Sequence, residues 1–188
     1  MTANLVGRSN VKLMQRNTEM QVVKATVGYA AEIVSVLTDA TKYKLQRGDF
    51  AWGSRGPSEQ EVLEQINRDE MYVVLSDCDV VGTFRLQWDD EHYWGKQPPV
   101  AAYMHGLAVK ESAHGKAVGA NVLTWTVQEA ARQGRQYLRL DCDEKNFALC
   151  RYYERRGFIQ VGERALQSGY VAALYQCETG LKNESAAA

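Results

Sequence analysis

The chain has 188 residues, 45% of them apolar, with 22 Lys+Arg against 23 Asp+Glu. That length suits one domain with a sizeable core, and the near-cancelling charge lacks the footprint of a nucleic-acid or membrane-surface protein. Cys78, Cys142, Cys150 and Cys177 make no CxxC pair and no run reaches signal-peptide or membrane-span length, so neither a metal site nor a disulfide framework is suggested and the cytoplasm is the expected location.

Residues 1–19 lack periodicity and "KNESAAA" at the end is small and polar, so 1–19 and 179–188 read as extensions around one domain at 20–178. "MQVVKAT" reads as a first strand, and "GYAAEIVSVLTDATKYKLQRG" as a helix with an apolar stripe through Ala31, Ile33, Val34, Val36 and Leu37. After the loop "GDFAWGSRGPS", Ser58 with Glu61 is a capping-box pattern that starts a second helix. "MYVVLSDCDVVGTFRLQW" is two strands joined at "SDCD". The loop "DDEHYWGKQPP", with Glu91 and His92 read as solvated, leads to a third strand, "VAAYMHGLAV".

The second half changes rhythm. A small-residue loop, 114–119, runs into a helix with Val118, Val122, Leu123, Val127, Ala130 and Ala131 on its buried side, ended by Gly134. "QYLRLDCD" is a strand, and "NFALCRYYERRG" a helix capped by Asn146 and stopped by Gly157. "FIQVGE" and "GYVAALYQCE" are two final strands. The strand–helix–strand unit requires a right-handed crossover, hence a parallel pair inside an otherwise antiparallel sheet. The expected fold is single-domain α/β, with a mixed, mostly antiparallel central sheet and flanking helices.

A loop of small residues at a helix start points several N–H groups one way, which suits an anion. Gly115, Ala117, Gly119 and Ala120 meet that demand, with Ala117 expected at negative φ in the first helical turn. Strand–loop–helix turns rich in small residues are also ordinary structural turns. Asn146 and Tyr153 lie seven residues apart, so both project from one helix face, and Tyr152 is read as packing.

"GLAVKESAHGKAVGANVL" together with "NFALCRYYERRGF" resembles the signature of the GNAT superfamily of acyl-CoA-dependent N-acyltransferases. The loop pattern Q/R-x-x-G-x-G/A falls on His114, Gly115, Lys116, Ala117, Val118 and Gly119, departing at His114 and Ala117. The second segment matches at Asn146, Tyr153, Glu154, Gly157 and Phe158, with Ala148 displaced by one. The resemblance implies central parallel strands that splay at a bulge. It also implies that acetyl-CoA (coenzyme A) lies along Leu107, Ala108 and Val109, its pyrophosphate on the amides of 115–120, with Asn146 on the same side. Tyr153 then corresponds to the general acid.

His105 shares a strand face with Tyr103 and Leu107 before any bulge, which makes it a candidate base at an ordinary imidazole pKa near 6.5, with Asp141 and Asp143 as rivals. Asp49, Phe50, Trp52, Tyr103 and Asp141 are candidates for the acceptor pocket. The arginines of the last helix, Arg151, Arg155 and Arg156, read as a wet face or an adenosine 3′-phosphate contact. The expected activity is acetylation of a small-molecule primary amine by direct attack. Acetylation of a protein N-terminus or lysine, or a CoA-responsive module without turnover, is the alternative, and a homodimer is left open.

Overall fold

The computed structural model describes residues 20–167 and 169–181; the extension expected at 1–19, and 182–188 of the expected tail, lie outside them. Runs rich in β-branched and aromatic residues build strands β1 (Met20–Lys24), β2 (Met71–Ser76) and β3 (Asp79–Gln87), paired antiparallel, with Met71–Val74 of β2 buried on both faces. The β2–β3 hairpin closes at Asp77 and Cys78, both at positive φ (49° and 72°), as the strand twist demands of a two-residue turn. β4 (Ala101–Val109), β5 (Tyr137–Asp143), β6 (Ile159–Ala165) and β7 (Val171–Glu178) complete a sheet of order β1-β2-β3-β4-β5-β7-β6. Among the described pairings only β4–β5 is parallel.

Helices lie on both faces. α1 (Ala30–Leu45) and α2 (Glu59–Asn67) cover Met71, Val73, Val80 and Ala108; the expected capping box of Ser58 and Glu61 starts α2. The segment expected to be all loop before β4 contains a short helix, α3 (Glu91–Trp94), because the Asp90 side chain accepts from the Tyr93 amide and starts a turn. Glu91 and His92 are exposed on it, as expected. α4 (Val118–Arg132) and α5 (Phe147–Glu154) cover the other face, over Tyr72, Phe84, Leu86, Met104, Leu138 and Leu140. On α4, Thr126 is fully buried where apolar periodicity names no residue; its hydroxyl is satisfied by the Val122 and Leu123 carbonyls. Among the described residues no helix is long and apolar enough to cross a membrane.

The centre of the sheet is irregular in one place. β3 pairs Arg85 with His105 and Thr83 with Ala108, so Gly106 and Leu107 together face the single residue Phe84. This is a β-bulge. It reverses the phase of β4: Leu107 and Val109 pack with the α4/α5 core, while Ala108 joins the α1/α2 core. Leu107 therefore does not share a face with His105, contrary to strict alternation. The parallel pairing with β5 runs from Ala101–Tyr137 to Met104–Leu140 and stops, although both strands continue. Beyond that point they separate, and a cleft opens between them that is lined from both faces of the sheet.

Gly106 holds φ +62°, and a Cβ added there meets nothing within 4 Å. Gly106→Ala should therefore lose about 1–2 kcal/mol from backbone strain alone, read as a lower urea midpoint at constant m-value. A variant as stable as the parent would mean that the bulge does not hold this conformation in solution.

Candidate active site

The loop after β4 meets the demand of an anion cradle. The first intrahelical bond of α4 is Asn121 N–H to the Ala117 carbonyl, which leaves the amides of Ala117, Val118, Gly119 and Ala120 without backbone acceptors among the described residues. Gly115, Ala117, Val118, Gly119 and Ala120 line the cleft. Ala117 departs from expectation: it sits at φ 58°, ψ 16°, left-handed rather than in the first helical turn, because the chain must reverse before α4 begins. An alanine in this region is strained by about 1 kcal/mol or more.

Two neighbours are corrected. Lys116 is outside the cleft lining and its amide is spent on the Ala113 carbonyl. His114 lines the cleft, but its ring is turned back: Nε2 lies 3.0 Å from the Val109 carbonyl oxygen, as a donor, and the ring edge meets Tyr43. Leu107, Ala108 and Val109 line the cleft.

Tyr152, read from sequence as packing, reaches the cradle. A Cβ on Gly119 would come within 2.8 Å of its hydroxyl, so glycine is what leaves room for that oxygen. The Arg156 guanidinium lies 3.5 Å from the Tyr152 ring centroid and donates to its backbone carbonyl. Both residues line the cleft. Signals existed in "RYYERRG", a tyrosine with an arginine four residues on, but helical phase alone did not say that the ring folds towards α4.

Asn146 caps α5: its side-chain oxygen accepts from the Leu149 amide, and its Nδ2 donates to Asp49 at 3.3 Å. Its side chain is therefore committed to holding the 46–57 segment over the cleft. At the last residue but one of α5, Tyr153 is 6% exposed, packs against Phe158 and Tyr175, and lines the cleft. Burial pushes its phenol well above the usual range, which keeps it a proton carrier at all ordinary pH. Cys142 and Cys150 lie beside it as free thiols with sulfurs 3.7 Å apart, and burial likewise holds Cys142 protonated.

His105 lies between two carboxylates. Its Nδ1 is 3.3 Å from Asp141 Oδ1 and its Nε2 is 3.4 Å from Asp90 Oδ2, with the Tyr93 ring stacked at 6.0 Å. The Asp90 contact is an ion-pair distance without hydrogen-bond alignment: both facing atoms are buried and have no hydrogen-bond partner. Burial lowers the imidazole pKa, but Asp141 and Asp90 outweigh it and the net shift is upward. The expectation of an ordinary pKa near 6.5 is thus overturned; two anions beside one ring favour the imidazolium. The ligand atoms of Asp90, His105 and Asp141 lie within 4.8 Å of one another. The carboxylates face opposite ring nitrogens, so the imidazolium is itself the cation that joins them.

The acceptor-pocket candidates divide. Asp141 and Trp52 line the cleft. Asp49 also lines it, but its carboxylate is bonded to Lys44 at 2.5 Å, which leaves no free charge for an ammonium group. Burial raises the Asp49 pKa, and bonds from Lys44, the Ala51 amide and Asn146 more than reverse that, so it stays ionised. Phe50 is 68% exposed and outside the lining: the turn that brings Gly53 N–H to its carbonyl points the ring to solvent. Tyr103 is also outside the lining. It is buried against Trp94 with its hydroxyl accepting from Arg139, because α3 covers that end of the strand. Sequence reasoning missed Arg85, Tyr93, Phe147 and Tyr170, all of which line the cleft.

The raised pKa of His105 has a signed consequence for stability. A histidine whose folded pKa exceeds its unfolded value, about 6.5, contributes fully below that pH and loses the contribution as pH rises through the folded value. The stability gap between the parent and His105→Gln should be widest below about pH 6.5 and narrow above it, measured by urea unfolding across pH. A gap that widens with pH would show a neutral, buried histidine instead.

Residues 38–158 match the profile of the Acetyltransferase (GNAT) family. S-(2-succino)cysteine N-acetyltransferase of Bacillus subtilis (strain 168) is 28% identical over 114 residues, spanning 58% of this chain and 67% of that protein. Among solved structures, a GNAT-family acetyltransferase from Listeria monocytogenes 4b F2365 superposes with a TM-score of 0.71 at 20% identity, over 86% of this chain and 95% of that one. The putative acetyltransferase yncA of Salmonella typhimurium, solved with acetyl-CoA, superposes with a TM-score of 0.66 at 16% identity, over 91% of this chain and 100% of that one. With a cradle of free amides, a splayed strand pair and a profile match across most of the described domain, the chain belongs to the GNAT family of acetyltransferases.

Proposed function

We propose that the protein transfers the acetyl group of acetyl-CoA to the primary amine of a small molecule, by direct attack in a ternary complex. The observation that carries this reading is the continuity of one cleft. It joins the free amides at the start of α4 to the Asp90–His105–Asp141 cluster through the gap between β4 and β5. Its volume, about 2040 Å³, exceeds that of a single-ligand pocket, about 300–1,000 Å³, and so leaves room for two substrates at once.

Bound acetyl-CoA supplies an activated acetyl thioester. The chain does the rest. The amides of Ala117 to Ala120 receive the pyrophosphate, and Gly119 lets the Tyr152 hydroxyl lie against the start of α4 beside them. The backbone of Leu107 to Val109, freed from β5 by the bulge, holds the pantetheine arm and aims an N–H at the carbonyl oxygen. Asp141, on the His105 side of the gap, takes the proton of the incoming amine. His105 orients that carboxylate and accepts the proton in turn only above its raised pKa. Tyr153, protonated by burial, donates to the departing sulfur.

Two features support a small acceptor over a protein. The Lys44–Asp49–Asn146 bonds tie the 46–57 segment across the cleft, and Trp52 sits beneath Lys44, 5.2 Å from its ammonium. The Bacillus relative is named for an N-acetylation of an amino acid, which agrees with an amine of that size.

The test is acetyl-CoA with a panel of small amines, amino acids and peptides, read by thiol release and product mass. Small amines should be the better substrates; acetylation confined to peptide termini or lysines would overturn the reading. Within the same assay Tyr153→Phe should lower kcat by roughly 10²–10⁴-fold with acetyl-CoA affinity little changed. A parental kcat would reduce Tyr153 to a packing residue.

A further inference from the structure

Two arginines project from the sheet face that carries His105, and they are treated oppositely. Arg139, paired in register with Tyr103, is 8% exposed and saturated: it donates to Gln176, Gln97 and the Tyr103 hydroxyl and lies 4.5 Å from the Trp94 ring centroid. Arg85 is the direct cross-strand partner of His105 on β3, so the two side chains stand on one face about one strand spacing, 4.8 Å, apart. It is partly buried and lines the cleft, yet among the described residues it makes no hydrogen bond and no ion pair.

The other cleft arginines are all engaged. Arg47 lies on the Tyr43 ring, Arg55 is bidentate on Glu61, and Arg156 lies on Tyr152. The two carboxylates beside its cross-strand neighbour are engaged too, because Asp90 and Asp141 both flank His105. A partly desolvated guanidinium without a partner is costly, and its planar fork matches a carboxylate. The pyrophosphate cradle cannot supply that anion. It begins beyond Val109, four residues along β4 from His105, a distance of roughly 13 Å.

We infer that Arg85 reads a carboxylate on the acceptor, so that the preferred acceptors are amino acids rather than simple amines. This rests on the small-amine reading above and narrows it. The acceptor's carboxylate pairs with Arg85 while its amine lies across His105 towards Asp141, which places an α-amino acid along the row Arg85–His105–Asp141. Arg85 is then a specificity residue, and no chemistry passes through it.

The test compares kcat/KM for matched acceptors, each α-amino acid against its decarboxylated amine, with S-(2-succino)cysteine among the former. The parent should prefer the carboxylated member by about 10- to 100-fold. In Arg85→Gln that ratio should fall towards one, and Arg85→Lys should keep part of it. Acetyl-CoA affinity serves as the check that each variant is folded. A preference that survives in Arg85→Gln, or none in the parent, overturns the inference. A second readout does not need turnover: succinate titrated calorimetrically into the CoA-saturated protein, whose amide cradle is filled. Succinate should bind the parent and bind Arg85→Gln at least about tenfold more weakly; equal binding, or none to the parent, overturns the assignment. If no amine of the panel is acetylated, the small-amine reading falls, and the succinate titration still decides on Arg85.

Discussion

The separation of β4 from β5 is the constraint on which the rest depends. A parallel pair buried on both faces would ordinarily stay zipped to its ends. Here the extra residue at Gly106–Leu107 bends β4 away after Met104. That single irregularity does three things. It releases backbone groups that a complete ladder would consume. It reverses which side chains face α4 and α5. It also opens a passage between the two faces, so that groups borne on opposite sides, Tyr153 from α5 and His105 from β4, line one space.

The cleft is organised by charge as well as shape. At one end the α4 N-terminus offers unpaired amides and the positive end of the helix dipole. At the other, His105 is held between Asp90 and Asp141, with Arg85 beside it. Asp90 does double service, starting α3 through one oxygen and facing His105 with the other, so the four-residue helix and the histidine fix each other. The lid segment is secured by the same economy: Asp49 bonds Lys44, the Ala51 amide and Asn146 together. Truncating Asp49 would leave a partly buried lysine unpaired.

Much of this was legible in the sequence where the code is local. Capping residues and stops fell where expected at Ser58, Asn146, Gly134 and Gly157. The crossover between β4 and β5 followed from chain order alone. What escaped was set by distant partners. Alternation along β4 could not show that Gly106 and Leu107 share one position opposite Phe84, because the register belongs to β3 as much as to β4. The commitment of Asp49 to Lys44, five residues back, follows no helix or strand period. The pKa of His105 depends on Asp90 and Asp141, fifteen and thirty-six residues away on either side, and Arg85 gained meaning only when it proved to be His105's neighbour. Ala117 was misjudged for a different reason: the reversal before α4 needs a left-handed residue there whatever side chain occupies it.

The central claim is that the gap between β4 and β5, together with the start of α4, is where acetyl-CoA lies. Residue-resolved amide NMR during titration with acetyl-CoA addresses it most directly. The largest shifts, and new protection from exchange, should fall on Leu107–Val109 and Ala117–Ala120, with β1 and the β6 edge unmoved. Shifts centred on the sheet edges, with those two segments silent, would contradict the account.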